Sequence, residues 1–211
     1  FYNLSEKNNW LPNISELEKN DLSKVKLMWI NYPHMPTGAS ANLQQFEKLL
    51  KFAKTHNILL VNDNPYSFIL NDSYLSLLKV NESRDYVLEL NSLSKSFNMS
   101  GWRVGMLVGS SNNITKVLKV KSNMDSGMFY GIQKGAIKAL ELDEGWFKNL
   151  NKVYLTRRKL IWKIADKLNC SYDKNSKGLF VWAKLPKEIK SSESFIDSLL
   201  KQKKIFVAPG T

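Results

Sequence analysis

Short apolar runs that end at turn residues alternate with helical stretches along the chain. The first run, at 26–32 (KLMWINY), is followed by Pro33 and Pro36, and it predicts a buried strand that ends in a turn. Strands separated by helical stretches predict an α/β fold with a mainly parallel sheet. The other predicted strands of this sheet lie at 58–62, 86–90 and 104–108.

Apolar residues at helical spacing predict the intervening helices. Residues 42–56 form the clearest such pattern, with Ser40 or Asn42 as the N-cap. Residues 145–168 place apolar side chains on one face of a single helix that is long enough to connect two domains. The remaining predicted elements are helices at 114–121, 131–140 and 192–201, and strands at 178–185 and 205–208.

Composition and charge narrow the classes of function. A chain of 211 residues with 43% hydrophobic residues can form a packed core. The net charge of +12 comes from basic residues spread along the chain, which favours a lysine-rich solvated surface over a nucleic-acid interface. The single cysteine, Cys170, excludes a disulfide framework and is typical of a reducing cytosol. No apolar run reaches membrane-spanning length, and two histidines without a cysteine cluster give no support for a metal site.

Lys95 is the strongest candidate for chemistry. It follows the strand predicted at 86–90, and two small hydroxyl residues, Ser92 and Ser94, lie within the three positions before it. The alternative is an ordinary solvated lysine, but this position suggests an amine presented to an anionic electrophile. A phosphate-bearing aldehyde fits that description, because the amine can form an imine while Ser92, Ser94 and Arg103 hold the phosphate.

Three other segments support this hypothesis, because each is rich in turn residues and lies at or after a predicted strand. Open α/β sheets place ligand-binding groups at such positions. The segments are 31–38 (NYPHMPTG), 63–66 (DNPY) and 101–105 (GWRVG).

Taken in order with SLSKSF at 92–97, these motifs resemble the class I/II aminotransferases, which are pyridoxal-phosphate enzymes of fold type I. The resemblance extends from the first residue to 209–211 and implies a fragment of about half a family member. It implies a three-layer αβα large domain, partly present at 1–144, a connecting helix at 145–168 and part of a small α+β domain at 169–211. The family's N-terminal phosphate loop, ring-stacking aromatic and carboxylate-binding arginine are expected outside this chain.

The resemblance also implies a role for each motif residue. Lys95 would carry pyridoxal 5′-phosphate as a Schiff base and then move the proton of the substrate's α-carbon. Asp63 would pair with the pyridine nitrogen, although a turn-starting aspartate is the simpler alternative. Tyr66 would reach the O3′ oxygen of the cofactor. The phosphate would be bound by Arg103 and Ser92, with Ser94 less favourably placed because alternate side chains of an extended segment face opposite sides.

Met35 departs from the family pattern. The family places an asparagine before Pro-Thr-Gly, and its amide binds O3′; methionine has no such donor. Either the pKa of the Schiff base is retuned, or Asn31 or a residue outside the chain compensates. By the same resemblance, the peptide bond between Met35 and Pro36 is expected to be cis.

The function favoured by these features is an aminotransferase acting on an amino acid and a 2-oxo acid. Another reaction of the same cofactor, by a carbon–sulfur β-lyase or a decarboxylase, stays open, as does a non-catalytic sensing domain of a regulator. The resemblance implies a cytoplasmic homodimer, with residues 125–130 near the subunit boundary. The motifs do not identify the amino acid substrate or any fused domain.

Overall fold

A four-stranded sheet forms the centre of the protein, seen in a computed structural model that describes residues 1–210; Thr211, the last residue of the expected small domain, lies outside the described residues. The first three strands are parallel, and the fourth is antiparallel to the third. This confirms the predicted mainly parallel sheet. In spatial order the strands are β1 (Leu27–Ile30), β2 (Leu59–Asp63), β3 (Val87–Ser92) and β4 (Gly105–Gly109).

Seven α-helices connect and flank the strands among residues 1–210. No helix in this part of the chain is both long enough and apolar enough to cross a membrane. The helices are α1 (Ile14–Leu17), α2 (Leu43–Thr55), α3 (Leu93–Ser96), α4 (Ser111–Met124), α5 (Tyr130–Leu140), α6 (Glu144–Lys167) and α7 (Ser192–Lys203).

Helix α2 begins at a capping box that settles the choice between the two predicted caps. The Asn42 side chain accepts a hydrogen bond from the Gln45 backbone at 2.9 Å, and the Gln45 side chain accepts one from the Asn42 backbone at 2.7 Å. Two backbone N–H groups that have no partner inside the helix are satisfied in this way. Asn42, rather than Ser40, is therefore the N-cap.

The main core lies between α2 and one face of β1 and β2. Phe46, Leu49 and Ala53 of α2 are buried there with Met28 and Leu60 of the sheet. The opposite face of β1 is open, because Leu27 and Trp29 are 42% and 54% exposed. The period-two alternation along β1 therefore gives one covered face and one uncovered face.

Two strands expected in the second half are not formed as predicted. Of residues 178–185, only Ala183–Lys184 (β6) forms a strand, and it pairs with Ser171–Tyr172 (β5). Residues 205–208 are exposed and belong to no strand. A strand is stable only when a neighbour satisfies its backbone groups, and within residues 1–210 none lies beside 205–208.

A close backbone contact joins the turn after β1 to the loop before β6. The Lys177 N–H donates to the Gly38 carbonyl at 2.8 Å. Gly38 has φ +72°, and a Cβ at this position would lie 2.6 Å from the Lys177 carbonyl oxygen and from the Ser176 Cβ. Only glycine permits both this backbone conformation and this approach.

Replacing Gly38 with alanine is therefore expected to destabilise the intact protein. The strained φ and the backbone clash should lower the free energy of unfolding by about 2 kcal/mol or more. Gly101→Ala is the matched control, because a Cβ at Gly101 meets nothing within 4 Å, and it should change stability by less than about 0.5 kcal/mol. Urea unfolding of the two variants makes the comparison, and equal stabilities would show that the 176–178 loop moves aside without loss.

Candidate active site

The motif residues meet at one edge of the sheet, where β1, β2 and β3 end. Asp63 is the last residue of β2 and lies opposite Leu90 in β3, which ends two residues later at Ser92. The Asn64 N–H donates to the Leu90 carbonyl at 2.8 Å, so the two strand ends stay paired beyond the last ladder position. Parallel strands present their carboxyl ends at the same edge, which is where α/β sheets bind ligands.

Asn31 connects the turn after β1 to the end of β2. Its side-chain N–H donates to the Asp63 carbonyl, and its side-chain oxygen accepts from the Met35 N–H at 2.6 Å. Both ends of the amide are therefore engaged with backbone. The structure assigns Asn31 a part in fixing the turn and Asp63, which the sequence did not predict; its binding to a cofactor stays a prediction.

Tyr66 and Met35 lie side by side in the site. Tyr66 is 5% exposed, and its hydroxyl donates to the Met35 sulfur at 3.3 Å. A thioether is a weak acceptor, so this hydroxyl is only lightly held. The expected cis bond between Met35 and Pro36 is confirmed. The position that departs from the family pattern is thus the position next to the Tyr66 hydroxyl.

The surrounding protein shifts the pKa values of Asp63 and Tyr66. The pKa of the Asp63 carboxyl is raised, because the surrounding protein removes water that would stabilise its charge. The pKa of the Tyr66 hydroxyl is raised by burial and by the nearby Asp63 charge. Both shifts show that the protein makes negative charge on these two groups less favourable. A cation or a hydrogen-bond donor placed between them would stabilise that charge.

Lys95 lies in α3, a single helical turn that begins directly at the end of β3. Ser92 is its N-cap and accepts a hydrogen bond from the Ser94 N–H at 3.1 Å. The Lys95 side chain is half-buried, and within residues 1–210 its amine contacts no carboxylate. The amine is thus held near the strand end without a counter-charge.

Arg103 occupies the segment that returns to the sheet as β4. The Leu93 N–H donates to the Val104 carbonyl at 3.2 Å, which keeps this segment beside the start of α3. Arg103 has a left-handed backbone, with φ 53°. One guanidinium nitrogen donates to the Ser100 carbonyl at 2.9 Å, and the exposed side chain leaves its other donors available to an anion.

Glu89, which the sequence did not single out, supports the site from the other face of the sheet. It is 3% exposed, and the described residues give its carboxylate five hydrogen-bond donors and no cation. A lone glutamate in a strand gives no sequence signal of such a network, since its partners are distant in the chain. The donors are the Leu77 N–H at 2.8 Å, the Ser76 hydroxyl at 3.1 Å and the amides of Asn62, Asn64 and Asn91 at 3.4, 3.1 and 3.4 Å.

The assembled groups fit a ligand that carries an anion, an electrophilic carbon and a basic ring. Lys95 supplies an amine without a counter-charge, and Arg103 supplies a guanidinium with free donors. Asp63 supplies a carboxylate that burial deprives of water, so a nearby cation would stabilise its negative charge. By contrast, residues 1–210 contain no group of three or more His, Cys, Asp or Glu side chains that could hold a metal ion. This set of groups suits pyridoxal phosphate.

Comparison with known proteins agrees with these features. The family profile described as aminotransferase class I and II matches residues 1–211. The LL-diaminopimelate aminotransferase of Gloeobacter violaceus is 41% identical over 98% of this chain and 53% of its own length. The enzyme of the same name from Aquifex aeolicus is 35% identical over 98% of this chain and 54% of its own length.

Solved structures give the same result. Apo-BacF from Bacillus subtilis is 34% identical and superimposes with a TM-score of 0.92, over 99% of this chain and 54% of that one. Aspartate aminotransferase from Thermotoga maritima is 28% identical with a TM-score of 0.87, again over 99% of this chain and 54% of that one. The chain spans about half the length of the curated relatives that it matches.

Glu89→Gln should destabilise the intact protein. A glutamine amide can accept at one end only, so the donors at its other end lose their buried acceptor. The expected loss in the free energy of unfolding is about 2–4 kcal/mol. The control is Glu47→Gln, which makes the same chemical change on the exposed side of α2 and should change stability by less than about 0.5 kcal/mol. Thermal and urea unfolding provide the measurement, and equal effects of the two variants would contradict the importance of the network.

Proposed function

The chain belongs to the class I and II aminotransferase family, and from that membership we propose that the intact protein moves an amino group between an amino acid and a 2-oxo acid, with pyridoxal phosphate on Lys95. The observation that carries the proposal is the meeting of Asp63, Tyr66, Lys95 and Arg103 at one edge of the sheet. The family uses pyridoxal phosphate, and the chemistry of these four groups suits it.

Lys95 would hold the cofactor covalently through its Nζ. Once released, the same amine would act as the base that takes the proton from the substrate's α-carbon and would deliver a proton to the cofactor's C4′. Bound pyridoxal phosphate supplies an electron-accepting ring that stabilises negative charge at that carbon. The absence of a carboxylate partner for Lys95 within residues 1–210 leaves its amine available for both tasks.

The remaining side chains would orient the ring and the phosphate. Asp63 would lie against the pyridine nitrogen and keep a proton on it. The Tyr66 hydroxyl would donate to O3′. Arg103 would bind the phosphate through its planar pair of N–H donors, with the Ser92 hydroxyl and, less directly, the Ser94 hydroxyl adding to it.

The wider organisation follows the same proposal. Residues 1–144 would belong to the large domain, α6 would connect the domains, and residues 169–211 would belong to the small one. Exposed apolar side chains on α4 and before α5, among them Val120, Met124 and Phe129, would be covered by the rest of the protein or by a second subunit of a homodimer. A cytoplasmic location is proposed from the single Cys170.

The shared name of the curated relatives makes LL-diaminopimelate the first amino donor to test. With a 2-oxo acid as acceptor, transamination forms a new amino acid from the acceptor. A decarboxylase would release carbon dioxide from the same amino acid, and a carbon–sulfur β-lyase would release a thiol from an S-substituted cysteine offered in a parallel assay, so product analysis with both substrates distinguishes the three reactions. A sensing domain would bind the cofactor and give no product.

Borohydride reduction of the intact protein with pyridoxal phosphate should fix the cofactor on Lys95. The visible or near-ultraviolet absorbance band should disappear, and mass spectrometry should place the label on the peptide that contains Lys95. Lys95→Ala should lose both the label and transamination, whereas Lys121→Ala, on an exposed helix, should keep them. Label on another lysine of the wild-type protein would overturn the assignment.

Met35→Asn should lower the pKa observed when the cofactor's absorbance is titrated with pH. An amide at position 35 adds a donor for O3′ beside the Tyr66 hydroxyl and favours the form with a negative oxygen. A hydrogen bond to a charged group is worth roughly 1.5–3 kcal/mol, so partial formation should shift the pKa by about one unit. Met35→Leu removes the sulfur without adding a donor, so it should cause no such fall. An unchanged or raised pKa in Met35→Asn would mean that Asn31 or another group already serves O3′.

A further inference from the structure

Helix α6 contacts two of the segments that form the candidate site. At its first turn, the Trp146 ring N–H donates to the carbonyl of Ser96, the residue after Lys95, at 2.9 Å. The neighbouring Phe147 ring stacks on Phe68 at 4.9 Å, two residues beyond Tyr66. One helix therefore touches both the Lys95 segment and the Tyr66 segment.

Asn151 holds the Tyr66 segment through both ends of its side-chain amide. Its N–H donates to the Phe68 carbonyl at 2.9 Å, and its oxygen accepts from the Leu70 N–H at 2.7 Å. The Ile69 N–H between them donates to the Tyr66 carbonyl at 3.0 Å. Asn151 thus attaches the backbone that follows Tyr66 to α6, although it is about 80 residues distant in sequence.

Arg158 lies two helical turns further along the same face of α6, at a separation of seven residues. Its guanidinium donates to the Ser176 carbonyl at 2.7 Å and to the Gly178 carbonyl. Arg158 is 6% exposed, and its Nε has no hydrogen-bond partner among the described residues. A buried charge that serves only two backbone carbonyls is costly, which argues that the geometry of residues 176–178 matters.

Residues 176–178, which Arg158 holds, in turn form hydrogen bonds with the segments around the site. The Lys177 N–H donates to the Gly38 carbonyl at 2.8 Å, and the Gly178 N–H donates to the Ile69 carbonyl at 2.9 Å. A Cβ at Gly178 would lie 3.4 Å from the Tyr66 Cβ, so the loop packs directly against the tyrosine.

We propose that Arg158 and Asn151 are positioning residues, which act through residues 176–178 and 68–70 to fix Tyr66 for the cofactor. The part that concerns the cofactor rests on the proposed function. The part that concerns Tyr66 applies to the cofactor-free protein and is tested there separately. Arginine is required at 158, because a lysine amine cannot reach two carbonyls with one planar group.

The first test uses the intact protein without cofactor. Arg158→Lys and Asn151→Ala should each raise the hydrogen–deuterium exchange rate of the Ile69 amide about tenfold, since the bond to Tyr66 opens more often. In Arg158→Lys the amides of Lys177 and Gly178 should follow. Two exposed neighbours on the same helix give matched controls, Arg157→Lys and Asn149→Ala, which should leave these rates unchanged. Unchanged exchange at Ile69 in both test variants would overturn the proposal.

The second test measures the dissociation constant of pyridoxal phosphate. We expect Arg158→Lys and Asn151→Ala to raise it about tenfold, and the two controls to leave it unchanged. In a Tyr66→Phe background, which removes the hydroxyl, either change should add less than about twofold. A merely structural role would instead give the same factor in both backgrounds, and that result would overturn the proposal.

The two tests separate the inference from the proposed function. If the wild-type protein does not bind pyridoxal phosphate, the proposed function fails, while exchange at Ile69 still decides whether α6 fixes Tyr66. If Arg158→Lys does not fold, the milder Asn151→Ala carries both tests, because Asn151 is only half-buried and contacts the Tyr66 segment directly.

Discussion

The parallel register of β1, β2 and β3 is the constraint on which the site depends. Because these strands run in one direction, their carboxyl ends lie at one edge, and the segments that follow them emerge side by side. A slip of one residue in the pairing of β2 with β3 would turn Asp63 to the other face of the sheet, away from its present neighbours. The hydrogen bond from Asn64 to Leu90 and the amide of Asn31 extend this pairing past the strand ends. Backbone pairing, extended by the Asn31 side chain, therefore brings the segments of the site together.

Two buried charges support that edge in different ways. Glu89 accepts hydrogen bonds from β2, β3 and the segment at 76–77, so its negative charge is spread over several donors. Arg158 donates to the backbone carbonyls of Ser176 and Gly178, in the loop that packs against Tyr66. Neither charge has an opposite charge beside it within the described residues, so hydrogen bonds alone offset the loss of water. Charges held in this manner are sensitive to small displacements, which suits residues that fix a geometry.

Features that depend on neighbouring residues could be predicted from the sequence. The α6 helix itself was predicted from helical spacing, and the N-cap of α2 was narrowed to Ser40 or Asn42, of which the structure selects Asn42. The motif residues of the site were recognised because each lies directly at a strand end. The strand predicted at 205–208 was wrong, because an apolar run becomes a strand only beside a partner. Glu89, Asn151 and Arg158 escaped prediction for a related reason: their partners are remote in sequence, and a single glutamate, asparagine or arginine gives no pattern.

The pKa shifts at the site indicate what kind of ligand completes it. Asp63 lies at the edge of the sheet face that Leu27 and Trp29 leave open, yet the protein around it already raises its pKa. Covering that face would remove more water and raise the pKa further, and a cation brought by the cover would oppose that rise. A protonated ring nitrogen is such a cation, and its proximity would also relieve the repulsion between Asp63 and an ionised Tyr66. An anionic group at the same place would instead raise the pKa values of Asp63 and Tyr66 further. The electrostatics thus favour a ligand that brings a basic ring to Asp63, while the free donors of Arg103 favour an anion on the same ligand.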